Sequence, residues 1–228
     1  MPEDFKPQDL KSPDFKPSAK SKVKRLHARA HYDRASVYGL LDQGLVCHVA
    51  YVIEGEPYVT PTAYWREGSR VYWHGSSASR MLRQVKSGIP VCLNVCLFDG
   101  LVLARSGFHS SINYRSVTLF GHGDALETEE SKLKALEAFT ERLLPGRWAD
   151  QRPPTQQELK ATTVLSMEIE EASAKIRTGP PADDEEDYAL PIWAGVLPVG
   201  LKIGEPLADP KLDPGIAPPD YLKNFRFG

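Results

Sequence analysis

Short stretches of alternating apolar and polar residues dominate this chain, and a period of two is the pattern of strands with one face buried. Glycine-containing turns separate several of them, at Glu54-Gly55-Glu56, Glu67-Gly68-Ser69 and Asp99-Gly100. Tight turns of this kind join antiparallel neighbours, so an antiparallel sheet is expected. The predicted strands cover residues 45–53, 57–65, 70–74, 91–97, 101–103, 113–125 and 162–176.

Three other segments carry apolar residues at helical spacing. Asp33 and Thr128 are suited to cap the starts of two of them, because their side chains can accept hydrogen bonds from free backbone N–H groups. Gly44, Gly88 and Pro145-Gly146 mark the three ends. The buried faces of these predicted helices consist of Val37, Leu40 and Leu41; Met81, Leu82 and Val85; and Leu133, Leu136, Phe139 and Leu143.

The arrangement of these elements favours one fold class. Short antiparallel strands with a few inserted helices and no repeating strand–helix–strand unit are typical of a small β-barrel with peripheral helices. No G-x-G-x-x-G sequence follows the first strand, which argues against a dinucleotide-binding domain of the Rossmann type. The expected class is therefore mainly β, with helices on the outside.

Both ends of the chain differ in composition from its middle. Residues 1–27 are rich in proline and charge, and Phe5-Lys6-Pro7 recurs there as Phe15-Lys16-Pro17. A flexible arm and an extended strap across a partner both fit this composition. We predict a single domain over residues 28–200, followed by an extended tail over 201–228.

Composition limits the class of protein. The chain has 228 residues and a formal net charge of -2, so no overall positive field attracts nucleic acid. No apolar run approaches the roughly 20 residues of a membrane helix, and the polar N-terminus does not read as a secretory signal. Cys47, Cys92 and Cys96 lack the spacing of a metal site and are expected to be reduced thiols, which suits the cytoplasm. The acidic run 183–187 is expected to be an exposed loop.

The segment from Val71 to Val85 holds the most informative chemistry. It passes from a strand through His74-Gly75-Ser76-Ser77-Ala78-Ser79-Arg80 into a helix. Serine hydroxyls, backbone N–H groups and an arginine side chain in such a turn can hold a phosphate group. Gly75 would allow a ligand close to the backbone, because it has no Cβ.

Each of these residues also has an ordinary structural interpretation. His74 can bond to a turn, the serines can cap the helix, and Arg80 can pair with a surface carboxylate. A hydrolase is not favoured, because His109-Ser110-Ser111 lacks a G-x-S-x-G elbow. Cys47 and His48 are adjacent on a strand and point to opposite faces, so they do not form a nucleophile–base pair.

Four blocks occur in an order that identifies a family. They are Pro61-Thr62-Ala63-Tyr64, the segment 74–80, the block Ala104–Val117 containing Asn113-Tyr114-Arg115-Ser116-Val117, and Gly121-His122-Gly123. Together they resemble the flavin-nucleotide-binding branch of the pyridoxamine 5'-phosphate oxidase-like superfamily, which includes the nitroimidazole-resistance proteins. The resemblance extends over about residues 28–200.

The resemblance implies a six-stranded antiparallel split β-barrel that binds FMN and works as a homodimer, with two flavins at the subunit interface. The strand with residues 60–64 would lie beside the isoalloxazine ring, and the segment 74–80 would receive the phosphate. Residues 113–115 would reach the flavin near or across the interface, unless they form dimer salt bridges instead. Trp193 would lie near the dimer contact. The implied cofactor-binding residues are Thr62, Ala63, Tyr64, His74, Gly75, Ser76, Ser79, Arg80, Asn113, Tyr114, Arg115 and Trp193.

The resemblance favours an FMN-dependent oxidoreductase that passes electrons from a nicotinamide nucleotide to a small acceptor such as a nitro-aromatic. No residue stands out as a catalytic acid or base. The alternative is a non-catalytic flavin or haem protein for storage or sensing, since this superfamily also accommodates FAD, deazaflavin and haem. His74 and His109 are the candidate axial ligands for a haem. Neither nucleic acid nor a membrane is expected as a partner.

Overall fold

The computed structural model describes residues 14–225. Its helices and strands follow one another along the chain much as the sequence pattern predicts, and strands predominate. The strands are β1 (Ala30–His31), β2 (Val46–Ile53), β3 (Glu56–Glu67), β4 (Arg70–Ser76), β5 (Pro90–Leu103), β6 (Ser111–Ala125), β7 (Thr162–Glu168), β8 (Glu171–Arg177) and β9 (Gly195–Pro198). The α-helices are α1 (Arg34–Gln43), α2 (Arg80–Lys86), α3 (Glu129–Leu143), α4 (Gln156–Ala161) and α5 (Asp220–Asn224).

Six of the strands form a closed ring. Their order is β6, β7, β4, β3, β2 and β5, and β5 pairs with β6 again, with every pairing antiparallel. β8 and β1 extend the sheet from β6, and β9 pairs with β5. The expected six-stranded split barrel with peripheral helices is confirmed.

The barrel interior holds the main hydrophobic core. Side chains with no exposed surface come from strands on all sides of the ring, and α1 and α2 add apolar faces to the same cluster. Burial of this apolar surface is the main favourable term in folding. Fully buried members include Val37, Val49, Val71, Trp73, Val85, Leu93, Val117, Leu119, Leu165 and Met167.

The two side-chain caps predicted from the sequence are present. Asp33 accepts a hydrogen bond from the backbone N–H of Ser36, and Thr128 accepts one from Ser131. α1 ends at Gly44, where the chain turns into β2. These helix starts are local features, so the sequence alone was sufficient to find them.

The prediction of a turn at Asp99-Gly100 is wrong. β5 runs through it without a break, and the irregularity is a bulge in the pairing with β6 between Phe98 and Gly100. A Cβ on Gly100 would lie 2.7 Å from the backbone oxygen of Leu197 in β9. The glycine is thus needed for the close approach of a neighbouring strand rather than for a change of chain direction.

The single strand expected over residues 162–176 is in fact two strands. β7 and β8 are separated at Ile169 and Glu170, where the backbone N–H of Ile169 donates to the Ser69 carbonyl, 2.9 Å away. No glycine or proline marks this break, so it has no local signal in the sequence. β7 pairs with β4 and β8 pairs with β6.

A second, smaller core lies on the outer side of the barrel wall. Trp65 on β3 and Val164 on β7 are buried there beneath Ala135 and Phe139 of α3. α4 closes one end of this layer and starts with a capping box formed by Thr155 and Glu158. The sequence analysis did not predict α4, although its T-x-x-E start can be read from the sequence.

The described part of the N-terminal arm is a strap across the barrel. Phe15 is only 6% exposed and packs edge-on against Tyr38 of α1, with ring centroids 6.1 Å apart. Ser18 donates a hydrogen bond to Glu171, and the backbone N–H of Val23 donates to the Tyr32 hydroxyl at 2.9 Å. Residues 14–26 thus lie against their own chain, a third arrangement beside the flexible arm and the strap across a partner, and residues 1–13 lie outside the described part.

The acidic run is not simply an exposed loop, because its first member is buried. The Asp183 side chain has no exposed surface and accepts hydrogen bonds from the backbone N–H of Arg105 at 2.9 Å and from the Arg105 guanidinium at 3.1 Å. Burial raises the pKa of Asp183, but hydrogen bonds from Arg105 and Ser106 outweigh it and lower this pKa overall. Asp183 thereby fixes the loop between β5 and β6.

The three cysteines are free thiols, and burial raises the pKa of Cys47 to about 12. A thiol with such a pKa is unreactive at neutral pH. No helix within residues 14–225 is long and apolar enough to cross a membrane. The cytoplasmic location suggested by reduced cysteines stays a prediction.

Candidate functional site

The serine-rich turn after β4 is built as a compact connection into α2. The backbone N–H of Ser77 donates to the Ala161 carbonyl at 2.8 Å, and that of Ser79 donates to the Ser76 carbonyl at 2.8 Å. The Ser76 hydroxyl accepts from the Ala78 N–H at 3.2 Å. Ser79 occupies the N-cap position but makes no side-chain cap bond, so its hydroxyl is available to a ligand.

Arg80 is the charged group of this turn. Its guanidinium carbon lies 4.2 Å from the centroid of the Tyr58 ring, a cation–π contact. Tyr58 in turn stacks on Tyr51, with centroids 5.6 Å apart and ring planes 15° apart. Within residues 14–225, no carboxylate forms an ion pair with Arg80, so its positive charge is not neutralised there.

The packing of α2 explains why position 75 is a glycine. A Cβ at this position would lie 3.1 Å from Cδ1 of Leu82, which is buried in α2. This distance is closer than an ordinary van der Waals contact, so the glycine allows α2 to pack against the end of β4. The packing of α2 accounts for the glycine without any ligand.

His74 points away from the barrel interior and into the layer beneath α3. Its ring centroid lies 4.7 Å from that of Phe139 and 6.0 Å from that of Trp65. Burial lowers the pKa of the His74 imidazole, which favours the neutral ring. Its Nδ1 is buried and has no hydrogen-bond partner among the described residues. A buried ring nitrogen without a partner is uncommon and marks His74 as a candidate ligand.

Residues 62–64 of β3 divide between the two faces of the sheet. Tyr64 is 1% exposed, and its hydroxyl donates to the Leu41 carbonyl at 2.6 Å, so its side chain belongs to the core. Thr62 is paired with the buried Cys47 and shares its side of the sheet. Ala63, opposite Val46, lies on the outer side. A ligand along this strand would meet Ala63 and backbone atoms rather than the Tyr64 ring.

Asn113 and Arg115 on β6 already have partners within their own chain. Asn113 is 7% exposed, accepts a hydrogen bond from Arg177, and donates to the Gly179 carbonyl at 3.1 Å. Arg115 donates to both carboxylate oxygens of Asp99, at 2.9 and 2.7 Å. These hydrogen bonds raise the pKa of Arg115. Both residues therefore have a structural role, whatever they contribute to a ligand.

Apart from residues 62–64 on β3, the predicted site residues fall into two groups in one chain. His74, Gly75, Ser76, Ser79 and Arg80 lie together at the end of β4. The residues 113–115 and Trp193 belong instead to the distant side formed by β5, β6 and β9.

Trp193 is 68% exposed and packs over Gly195 at the start of β9. Tyr114 on β6 is partly exposed and pairs with Phe98 of β5.

The sequence analysis did not assign Tyr51 and Tyr58 to the site. Their pairing could have been read from the hairpin, because a two-residue turn at 54–55 places Ile53 opposite Glu56 and Tyr51 opposite Tyr58. Their contact with Arg80 depends on the position of α2 and has no local signal. Across the described residues, no group of three or more histidine, cysteine or acidic side chains is placed to hold a metal ion.

Comparison with known proteins identifies the family. The sequence profile of the pyridoxamine 5'-phosphate oxidase family matches residues 33–176. This chain belongs to that family. No match was found among curated protein sequences.

Two solved structures are similar over nearly the whole chain. The flavocytochrome Anf3 from Azotobacter vinelandii is 45% identical with a TM-score of 0.88, and the match covers 92% of this chain and 98% of that one. The FAD and haem binding protein from Mycobacterium smegmatis is 37% identical with a TM-score of 0.83, covering 86% and 96% of the two chains.

A more distant structure shares the fold. The putative 5-nitroimidazole antibiotic resistance protein from Bacteroides thetaiotaomicron is 20% identical, has a TM-score of 0.54, and covers 64% of this chain and 86% of its own. At this level of identity the likeness concerns the fold alone.

Proposed function

We propose that this protein is a flavin-dependent oxidoreductase whose flavin phosphate is held by the turn between β4 and α2. The un-neutralised guanidinium of Arg80, beside the uncapped hydroxyl of Ser79, is the observation that carries this proposal. A phosphate dianion requires such donors and an uncompensated positive charge. Two relatives at 45% and 37% identity are a flavocytochrome and an FAD and haem binding protein, which supports a flavin here.

The flavin is proposed to be FAD rather than the FMN that the family resemblance implies. The relative at 37% identity binds FAD, and the match covers 86% of this chain. The isoalloxazine ring would lie along the outer side of β3, near Ala63. The flavin supplies the redox chemistry, and this chain's residues bind and orient it.

A homodimer is proposed because the side of the barrel formed by β5, β6 and β9 exposes a large apolar surface. Phe108, in the loop between β5 and β6, is 91% exposed, and Trp193 is 68% exposed. Exposed apolar patches of this kind mark interaction sites. A second copy would cover them and would bring residues 113–115 and Trp193 of one chain toward the flavin of the other. Further exposed members are Leu101, Leu103, Ile112 and Leu197.

The visible absorption spectrum of the purified protein tests the main proposal. Bands near about 375 and 450 nm that bleach when NADPH is added without oxygen are expected, since the chromophore belongs to the flavin. The acceptor is proposed to be a small molecule such as a nitro-aromatic. Flavin bands that neither NADPH nor NADH bleaches would favour a flavin carrier or sensor. A colourless protein that does not take up added FAD or FMN would overturn the proposal.

A haem is a second proposed cofactor, and His74 is the observation that favours it. Burial favours the neutral imidazole, which is the form that binds iron, and its buried Nδ1 has no partner among the described residues. His109 is less suitable, because its Nε2 lies 3.1 Å from a carboxylate oxygen of Asp184.

A Soret band that disappears in His74→Ala, while the flavin bands remain, is the expected result for a haem bound by His74. A Soret band that persists unchanged in His74→Ala would assign the iron to another ligand. A haem would add one-electron chemistry to that of the flavin.

A further inference from the structure

A groove of about 510 Å³ lies on the outer face of the barrel wall. The strand register places four apolar side chains there in one row across β3, β2, β5 and β6. In this order they are Val59, Ala50, Cys92 and Phe120, and each is paired with the next. Leu93, the neighbour of Cys92 along β5, is fully buried in the core. Because successive side chains of a strand alternate between its faces, the row points outward. We call this surface the wall groove.

The apolar part of the wall groove is uncovered within one chain. Val59 is 62% exposed, and Val52, which also lines the groove, is 55% exposed. At about 4.8 Å between neighbouring strands, the row of four residues is about 14 Å wide. Exposed apolar surface of this kind marks an interaction site.

The charged groups at the edge of the wall groove differ in whether they are paired. Glu171 accepts a hydrogen bond from Ser18, and Glu170 lies 3.6 Å from Nδ1 of His122. Lys20, on the N-terminal strap, also lines the groove, and no carboxylate of the described residues forms an ion pair with it. The groove thus has a positive charge that is available to a ligand.

Between β9 and α5 the chain forms an extended tail that is anchored at both ends. At its start the backbone N–H of Val199 donates to the Asp99 carbonyl at 3.1 Å. At its end the Arg147 guanidinium donates to the hydroxyl of Tyr221 in α5 at 3.2 Å. Between these points, no hydrogen bond joins residues 200–219 to any other segment of the described chain. The tail is therefore held at its ends and left uncovered between them.

The first part of this tail has the one-sided pattern of a strand without a surface to cover its apolar side. Residues 199–207 read V-G-L-K-I-G-E-P-L, with an apolar side chain at every second position except Glu205. Leu201 is 79% exposed and Leu207 is 95% exposed. Ordering an extended segment costs conformational entropy, and burial of its apolar side chains would offset that cost. We call residues 199–207 the apolar tail.

The apolar tail and the wall groove match in length and in charge. Residues 203–207 in extended form span about 13 Å, close to the width of the row. Glu205 lies between Ile203 and Leu207 and has the charge opposite to that of Lys20. Both surfaces are exposed, so they do not cover each other within one chain. In a two-fold dimer, each tail can reach the groove of the other copy.

We propose that the apolar tail of each copy lies in the wall groove of the other, so that the two chains of the dimer hold each other reciprocally. Leu207 would pack beside Val59, and Ile203 would pack beside Phe120. The proposal rests on the proposed homodimer and adds a second contact to it. The tail starts at β9, on the side of the barrel already proposed as the dimer interface, so a second copy would be close to that start.

The residues between these two contacts determine how the tail is held. The carboxylate of Glu205 would face the ammonium group of Lys20 of the other copy. Pro206 has no N–H group, which disfavours addition of the tail to the sheet as a further strand. The contact would therefore depend on side chains and on this one ion pair.

A cross-linking experiment on the full-length protein tests which chain the tail contacts. In Leu207→Cys, a short bis-maleimide should join the introduced thiol to Cys92 of the other copy and give a covalent dimer on a denaturing gel. Peptide mapping should identify the link between position 207 and Cys92. Adding Cys92→Ser should abolish the product. Leu133→Cys, an exposed position on α3, is the matched control and should give no covalent dimer.

A charge exchange tests the ion pair by the dissociation constant of the dimer, measured by sedimentation equilibrium. Glu205→Lys should weaken the dimer by about tenfold, because two attractions per dimer become two repulsions. Adding Lys20→Glu should restore the dissociation constant to within about threefold of the wild-type value. Glu137→Lys, the same change at an exposed position on α3, should alter it by less than about twofold. Leu207 is almost fully exposed and both charges are on the surface, so these variants are expected to fold.

The remaining outcomes separate this inference from the homodimer itself. A protein that sediments as a dimer, but links position 207 to Cys92 only within one chain or not at all, would overturn the exchange of tails and leave the dimer in place. A double charge variant as weak as Glu205→Lys alone would overturn the placement of Glu205 at Lys20. A wild-type protein that stays monomeric at high concentration would remove the homodimer and this inference together.

Discussion

The guanidinium of Arg80 lies 4.2 Å over the ring of Tyr58, and this contact joins the helix α2 to the hairpin of β2 and β3. The aromatic ring holds the arginine in place without neutralising its charge, as a carboxylate would. The charge therefore remains available to an anionic ligand. Because Tyr58 is itself stacked on Tyr51, the position of Arg80 depends on the folded hairpin.

Arg80→Ala should weaken flavin binding by about 1.5–3 kcal/mol, the value of a charge-assisted hydrogen bond. Tyr58→Phe is the matched control, because it keeps the ring beneath the guanidinium and should leave the affinity nearly unchanged. Quenching of flavin fluorescence during titration of the apoprotein measures both. Equal affinities for wild type and Arg80→Ala would place the phosphate elsewhere.

Two glycines of the α1 region should respond in opposite ways to alanine. A Cβ on Gly44 would lie 2.6 Å from the Tyr64 hydroxyl and 2.7 Å from Cγ1 of Val95, so Gly44→Ala should lower the free energy of unfolding by about 1–3 kcal/mol. Gly39 has nothing within 4 Å of its Cβ position inside the helix. Gly39→Ala should raise this free energy by about 0.5–1 kcal/mol. Urea denaturation measures both, and destabilisation by Gly39→Ala would contradict the described packing of α1.

Because the capping residue Asp33 titrates, the free energy of unfolding should depend on pH in the acid range. Burial raises the pKa of Asp33, but hydrogen bonds from Ser36 outweigh it, so the folded-state pKa is below its usual value of 3.8. A carboxyl with a lowered folded-state pKa stabilises the protein above its unfolded-state pKa, and this contribution is lost as the pH falls through the folded-state value.

Asp33→Asn is the matched variant, because asparagine caps helices about as well but does not titrate here. The difference in unfolding free energy between wild type and Asp33→Asn should therefore shrink as the pH falls below 3.8. Denaturation curves from pH about 5 down to about 2 cover the titration. A difference that stays constant over this range would mean that the carboxyl makes no charge-dependent bond to the helix.

Asn113 is expected to matter for stability in the absence of any flavin. Asn113→Ala leaves the guanidinium of Arg177, a residue only 8% exposed, without its acceptor. The free energy of unfolding of the apoprotein should fall by about 1–3 kcal/mol. Asn113→Asp keeps an acceptor for Arg177, so its free energy of unfolding should fall by less. An apoprotein of unchanged stability, with weakened flavin binding, would show that Asn113 serves the ligand instead.

The proposed dimer predicts an effect of Phe108, which is 91% exposed in one chain. Phe108→Ser should weaken dimer association by about tenfold or more, as loss of a central aromatic contact does. Leu133→Ser on α3 is the control, because Leu133 is 37% exposed, contrary to the buried face predicted for this helix, and α3 packs on β3 and β7, away from the β5–β6 loop. Sedimentation equilibrium measures both constants. A wild-type protein that stays monomeric at high concentration would exclude the dimer.

Features that depend on neighbouring residues could be predicted from the sequence, whereas features that depend on residues far along the chain could not. The caps at Asp33 and Thr128 and a β-barrel with outer helices were predictable, because side-chain caps and alternation are read over a few residues. The ring of six strands was implied by the family resemblance. Gly100 was misread as a turn because the strand that needs it, β9, begins almost a hundred residues later.

In the candidate site, too, local features were predictable and contacts with distant residues were not. The turn from His74 to Arg80 is continuous in sequence, and its conformation followed from its residue types. The contact of Asn113 with a ligand stays a prediction, and its buried partner Arg177, 64 positions away, could not be found from the sequence. A polar residue in a strand looks the same in the sequence whether its partner is a cofactor or an arginine. Only the topology, which pairs β6 with β8, distinguishes the two.

The ring is closed unevenly, because β2 with β5 and β6 with β7 are each paired over only three positions, whereas β5 and β6 are paired along twelve. At the junction of β2 with β5, few ladder hydrogen bonds oppose a separation of the hairpin from β5, and the long β5–β6 ladder takes no part in it. The barrel wall is thus held by few backbone hydrogen bonds at two places and by many along β5 and β6.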